Sequence, residues 1–407
     1  MTAADPQPQR QMRLPCPDGW QGARLADGGT QPFSRQALPA LLSTGSLMLE
    51  FTRERGALVA QPLLHHAHHS GWSRQLSLIL DHRGQLCAHH RQGIAQERLI
   101  LPPGPEIAEG GTMRLTWRWD GPARHSSLTL EAPDHGVLRQ HRGSAPIPLP
   151  AADAQALLGR ATAAADMACP DGAPVPRPTL SPDRAPDPAA PAARARLGAG
   201  VTWLALSHQV QPLGPGACFA PSTPLNTPLG PRAAASIRRG DWVETVDGGP
   251  QQVLWSGRMT LPALGGLAPV RLMAGHFGQA RDLWLHPQHR VAVSGAAVEY
   301  LFGQDAVLIE ARHLVDGRSA LRCESVRALT WQGILLRDHH LLIADGCHVE
   351  SLYLGNLATA APLLAQGPLA DLADPPRHRR PIRPTLRAYE AQTLLASRAQ
   401  SRAPYAA

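Results

Sequence analysis

The sequence predicts an all-β chain built as two globular parts, on three observations. Apolar and polar residues alternate with period two from about Gly45 to Leu130, the pattern of antiparallel strands. Forty prolines and 37 glycines cut the 407 residues into short elements separated by turns. A Pro/Ala/Arg-rich stretch with few large apolar side chains, 170–200, divides a first β-rich part from a second, and a chain of this length exceeds one average core. The expected division is an antiparallel sandwich over 1–168, a linker and short strand over 169–217, a second β-rich module over 218–355, and a basic, partly disordered tail over 356–407 in which 384–395 has the spacing of a terminal amphipathic helix, packed on the module or, alternatively, binding a partner.

Within the first part, Leu115-Thr116-Trp117-Arg118-Trp119 puts Leu and two Trp on one face and Thr and Arg on the other. Leu76-Ser77-Leu78-Ile79-Leu80 behaves similarly, so both read as half-buried strands. Turn chemistry at Asp81-His82-Arg83-Gly84 and Asp120-Gly121-Pro122 separates them at the spacing of a jelly-roll-like sandwich. Ala and Leu dominate 151–165 after Pro150, which predicts a short helix. His65-His66-Ala67-His68-His69 between Pro62 and Gly71 reads as an exposed, solvated loop. A transition-metal site is the alternative, but no convergent Cys or carboxylate pattern accompanies the imidazoles. No metal or other cofactor is expected.

Composition narrows the functional classes. The chain contains no lysine, which excludes a P-loop, a Schiff base and a Ser-Lys dyad on residue identity. The formal charge of +7 is concentrated at the end, where 375–407 hold seven Arg and one Glu. A solvated tail is the expected reading, with weak binding to anionic surfaces as the alternative and no specific nucleic-acid partner. The six Cys lack CxxC spacing, so neither a zinc ribbon nor a dense disulfide framework is indicated. No window reaches the apolar length of a membrane span. The N-terminus lacks the basic-then-apolar order of a secretory signal, so an extracellular location would require another export route; a cytoplasmic one stays open.

Three stretches carry the chemistry. The first is Gly214-Pro215-Gly216-Ala217-Cys218-Phe219-Ala220-Pro221-Ser222-Thr223-Pro224-Leu225, a thiol in a turn-rich setting. The second is Leu285-His286-Pro287-Gln288-His289-Arg290-Val291. The third is Asp338-His339-His340-Leu341-Leu342-Ile343-Ala344-Asp345-Gly346. Together with the turn, strand and turn of Ser236–Gly249, where Asp241 reads as a turn residue rather than a catalytic one, they resemble the Hint family, the self-cleaving module shared by Hedgehog proteins and inteins. The first part resembles the laminin-G-like or jelly-roll domains that precede Hint modules in some bacterial secreted chains. The resemblance implies a C-terminal Hint-like β-fold and a single-turnover self-cleaving cysteine module. Cys218 would attack the carbonyl of Ala217 to form a thioester, and His289 would protonate the Cys218 nitrogen. His286 stands where the family carries Thr or Ser, and His340 serves either as a second base or as a loop-orienting residue.

Two departures limit the chemistry. Aligned on Gly346, the terminal His-Asn pair of inteins falls on Glu350-Ser351, which removes Asn cyclisation and hence splicing. No Asp occurs from Pro250 to Arg281, leaving only Asp282 for the carboxylate on which sterol transfer relies. The expected activity is therefore thioester formation resolved by water or a small nucleophile. The rival reading is a non-cleaving surface or secreted protein, whose sandwich binds a glycan or protein ligand and whose Hint-like part is a scaffold.

Overall fold

The computed structural model describes residues 19–34, 36–57, 59–68, 72–159, 194–214, 218–325, 327–372 and 374–402. Ala217, His69 and 160–193, which include most of the expected linker, lie outside them.

Among the described residues, the N-terminal part is a two-sheet antiparallel sandwich. Its main sheet runs Val137–Gly143, His125–Ala132, Gly111–Asp120, Thr44–Arg53, Val201–Ser207, Trp20–Leu25 and Thr30–Pro32 in spatial order. The second runs Arg194–Leu197, Gln61–His68, Arg74–Leu80, Leu86–Gln92 and Ala95–Leu101. Leu47, Leu49, Phe51, Leu115, Trp117 and Leu204 of the first sheet pack against Leu64, Leu76, Leu78 and Leu99 of the second. The sandwich therefore continues past the expected linker. Val201–Ser207, a mostly apolar run buried everywhere except Thr202, is an inner strand between Thr44–Arg53 and Trp20–Leu25.

The alternation in Leu115–Trp119 is present, but its polar face is not wet. Arg114, Thr116 and Arg118 are 3%, 4% and 2% exposed. Their face of the sheet is covered by the C-terminal module, so the main sheet is the middle of three layers. The helix expected over 151–165 is described as Ala151–Leu158. The histidine-rich stretch is not a loop: His65, His66, Ala67 and His68 belong to the strand Gln61–His68. Period two turns His66 inward, where it is 1% exposed with Nε2 3.1 Å from Asp153 Oδ1. Arg74 completes that buried cluster from the neighbouring strand.

The C-terminal module is a set of short, interlocked antiparallel strands around its own core, with Phe219, Val243, Leu285, Val291, Ile309, Leu342 and Val349 at the centre. Its largest sheet contains Pro224–Leu225, Leu341–Ala344, Cys347–Glu350, Arg290–Ser294 and Ala306–Glu310. A long antiparallel pair, Trp255–Pro262 with Ala328–Leu335, and a small sheet centred on Val270–Leu272 enclose it. Asp241 does what a turn residue does: its carboxylate accepts the Arg238 N–H at 3.0 Å and pairs with Arg232 at 2.9 Å.

The basic end, read from its charge as a solvated tail and from the helical spacing over 384–395 as a helix packed on the module, is docked. Leu308 donates its N–H to the Pro384 carbonyl and accepts that of Leu386, which keeps 384–386 extended. The terminal helix consequently starts at Ala388 and runs to Arg402. Leu386, Ala391 and Leu394 enter the module's core, and Arg383 pairs with Asp247 at 2.8 Å. Apolar side chains at helical spacing outweigh the charge pattern here. No helix among the described residues is long and apolar enough to cross a membrane.

Candidate active site

Cys218 opens a segment threaded between two strands. Phe219 exchanges main-chain hydrogen bonds with Gln332 at 2.9 and 2.8 Å, and Ala220 donates to the Trp284 carbonyl at 3.1 Å. These bonds fix the backbone immediately after the thiol. Cys218 itself is 5% exposed, at the foot of the apolar cluster shared by the two parts of the chain.

His286 and His289 both converge on the carbonyl of Cys218. The His286 N–H donates to that oxygen at 3.2 Å, and His289 Nδ1 lies 3.0 Å from it. A carbonyl only accepts, so His289 Nδ1 carries a proton and Nε2 is the bare nitrogen of the neutral ring. The Cys218 main-chain nitrogen belongs to the same residue as this carbonyl, which places the imidazole within about 7 Å of it. The turn that presents His289 closes with its own N–H on the His286 carbonyl at 2.9 Å. The Gln288 N–H meets His286 Nδ1 at 3.3 Å, so this imidazole caps the turn as a hydroxyl in its place would. Phe219 packs on the His289 ring with centroids 4.5 Å apart, and Trp331 meets the His286 ring edge-on at 5.4 Å.

Burial sets the protonation states. It drives the Cys218 thiol up to about 12, and the charge of Glu350 adds to the rise. Burial likewise lowers His289 to about 4, against the opposing pull of the Glu350 charge and the Cys218 carbonyl. Both groups are thus neutral at neutral pH.

Glu350 is the site residue that sequence reasoning passed over, having used it only to exclude splicing. It is fully buried, and its carboxylate accepts the main-chain N–H and Nε of Arg290, each at 2.9 Å. Arg290 Nη2 adds a contact at 2.7 Å and His339 Nε2 one at 3.2 Å. The Ile382 N–H donates to His339 Nδ1 at 2.9 Å, which leaves the proton on Nε2 to face Glu350. Burial works to raise the Glu350 carboxyl, but Arg290, His339 and His289 together hold it below its usual range. Alignment on Gly346 puts an acid at this position, but only the fold shows that it faces the Arg that follows His289.

His340 is placed differently from His339. Its ring lies against Gly248, and its main-chain N–H donates to Ser351 Oγ at 3.1 Å. Asp282 is engaged with the Arg271 guanidinium and with the Ala274 N–H at 2.8 Å. Among the described residues, no group of three or more His, Cys, Asp or Glu side chains could hold a metal ion.

A cavity of about 40 Å³ lies where the main sheet's polar face meets the module. His286, Gln288, Leu213 and Gly214 line it from the junction side, and Arg114 and Glu131 from the sandwich side. Its size suits a few water molecules.

The family model of the Hint domain matches residues 217–356. None of the curated proteins matches the chain. Among solved structures, the MchDnaB-1 intein is 17% identical, with a TM-score of 0.24 over 33% of this chain and 98% of that one. A bacterial intein-like domain from Clostridium thermocellum is 15% identical, with a TM-score of 0.24 over 34% of this chain and 99% of that one. The LG1-3 region of the laminin alpha2 chain is 8% identical, with a TM-score of 0.25 over 83% of this chain and 56% of that one.

Proposed function

Residues 217–356 of this chain are a Hint domain, and from that premise we propose that the protein cleaves itself at Ala217-Cys218 without splicing. Cys218 Sγ bonds to the Ala217 carbonyl carbon while the carbon–nitrogen bond breaks. The thiol loses a proton and the Cys218 nitrogen gains one, so the step is proton-neutral. His289 relays that proton: its neutral ring carries one protonated and one bare nitrogen, and its Nδ1–H stands at the main chain of Cys218. Water then converts the thioester to a carboxylate and restores the thiol. The observation that carries this reading is the hydrogen bond from His289 Nδ1 to the main chain of Cys218, inside the segment that the family model covers.

A thiol near 12 leaves almost no thiolate at neutral pH. Attack therefore has to be concerted with proton transfer, or follow a local opening that hydrates the site. Arg290, His339 and Glu350 position the His289 strand rather than touch the reacting atoms. Mass spectrometry of freshly expressed protein, with and without hydroxylamine, tests the proposal. Two fragments divided at Cys218 support it, and an intact wild type under every nucleophile contradicts it.

A second reading, ligand binding by the sandwich, is favoured by one groove of about 480 Å³. Trp72 is 64% exposed there, its indole laid against Gly93 so closely that a Cβ on that glycine would come within 2.7 Å. Gln92, Gln96, Arg124 and Ser144 share the groove, and Arg124 holds a left-handed φ of 50°. A fixed exposed indole ringed by amide, hydroxyl and guanidinium groups suits a saccharide face. Loss of glycan-array binding in Trp72→Ala would support this reading; unchanged binding would remove it.

A further inference from the structure

Every described strand of the sandwich precedes residue 217, and every described strand of the C-terminal module follows it. Cutting at Ala217-Cys218 therefore divides the chain between two complete sets of strands. None of the contacts between the two sets requires the bond that would be cut. We infer that the fragments remain bound to each other after cleavage, the module being the sandwich's permanent non-covalent partner. In nature this follows only if the cleavage proposed above takes place, but its test does not depend on that.

The interface has the make-up of an interior. Trp20, Met48, Trp203 and Ala205 on the sandwich side pack with Met259, Leu261, Leu264, Leu267 and Trp331 on the module side, each of them buried. The Trp20 indole N–H donates to the Thr260 carbonyl at 2.8 Å. Glu50, 2% exposed, accepts the Gly266 N–H at 2.9 Å and the Trp203 indole N–H at 3.2 Å, with Arg114 3.8 Å away. Arg118, 2% exposed, donates across the boundary to the Gln366 carbonyl at 3.3 Å. At the rim, Arg312 pairs with Asp134 at 2.6 Å.

Separation would strip three tryptophans and a set of paired charges of their cover at once. Buried aromatic anchors and desolvated charged hydrogen bonds are the contacts that hold a complex together. A cleaved preparation would thus look whole under native conditions.

Co-expression of 1–217 and 218–407 as separate chains, with an affinity tag on the first, tests the inference without relying on self-cleavage. The expected result is a 1:1 complex by native mass spectrometry that persists at submicromolar dilution. Gly265→Ala should weaken the complex at least tenfold. Gly265 holds φ +48°, and its Cβ would come within 2.5 Å of Trp203 Nε1 and collide with Glu50. Elution of the two chains apart, or unchanged affinity in Gly265→Ala, overturns the inference.

The intact Cys218→Ala chain provides a second measurement, insensitive to whether either half folds alone. It should melt in one cooperative transition, and two separate transitions would contradict the inference. A wild type that never cuts, alongside a two-chain form that still associates, removes the autoprocessing reading and leaves this one in place.

Discussion

Glu350 receives three hydrogen bonds from Arg290, one from its main chain and two from its guanidinium, directly after the histidine that reaches Cys218. The pair is nearly dry, with 1% and 13% of the two side chains exposed, and the Arg290 guanidinium also lies 4.9 Å over the Tyr353 ring. Removing one partner of such a pair leaves a buried charge uncompensated, which costs about 3–5 kcal/mol. Glu350→Ala in a Cys218→Ala background should lower stability by that order in urea titration. A loss near zero would mean the pair does not organise the His289 strand.

Cys218 should resist alkylation. At 5% exposure and with its thiol raised to about 12, it offers reagent neither access nor thiolate. Cys87 and Cys323 are partly exposed and provide the internal comparison. Iodoacetamide at mild alkaline pH, read by peptide mass mapping, should label those two well before Cys218, with all three labelled in urea. Rapid native labelling of Cys218 would show an open site.

Acid should destabilise the fold between about pH 6.5 and 4. Burial lowers His289 and His90 from 6.5 to about 4 in the folded chain. Across that window the unfolded chain takes up protons that the folded one refuses, so stability rises with pH and is lost as pH falls. Each histidine contributes on the order of 3 kcal/mol over the full window. Glu350, held below its usual range, adds a further loss below about pH 4.5. Urea midpoints should fall steadily from pH 6.5 to 4 and be flat just above it, and His289→Phe should make the slope shallower. A flat profile across the window would rule out buried neutral imidazoles.

Much of this was legible in the residues. Alternation gave the strands around Leu76 and Trp117, and the stretches around Cys218, His286 and His289 pointed to main-chain segments that do meet in space. Period two could not say what covers a polar face: Arg118 and Thr116 look wet in sequence, because the module that covers them lies more than a hundred residues away. Val201–Ser207 reads as a strand, but where it docks is hidden for a related reason. Its apolar run has no local marker of which sheet it joins, since its neighbours are strands 150 to 180 residues upstream. His66 was hidden by the histidines beside it, whose count suggests a loop while its parity points inward. Glu350 is a site residue only through its partners, Arg290 and His339, and no spacing rule connects them.

The central claim is that sulfur at position 218 displaces its own backbone nitrogen with His289 moving the proton. Time-resolved intact-mass spectrometry of the purified wild type, with Cys218→Ala and His289→Ala in parallel, tests it most directly. The account predicts fragments ending at Ala217 and beginning at Cys218 in the wild type, faster appearance with hydroxylamine, none in Cys218→Ala, and at least a hundredfold slowing in His289→Ala. A wild type that stays whole in every nucleophile, or a Cys218→Ala chain that still divides at that bond, contradicts it.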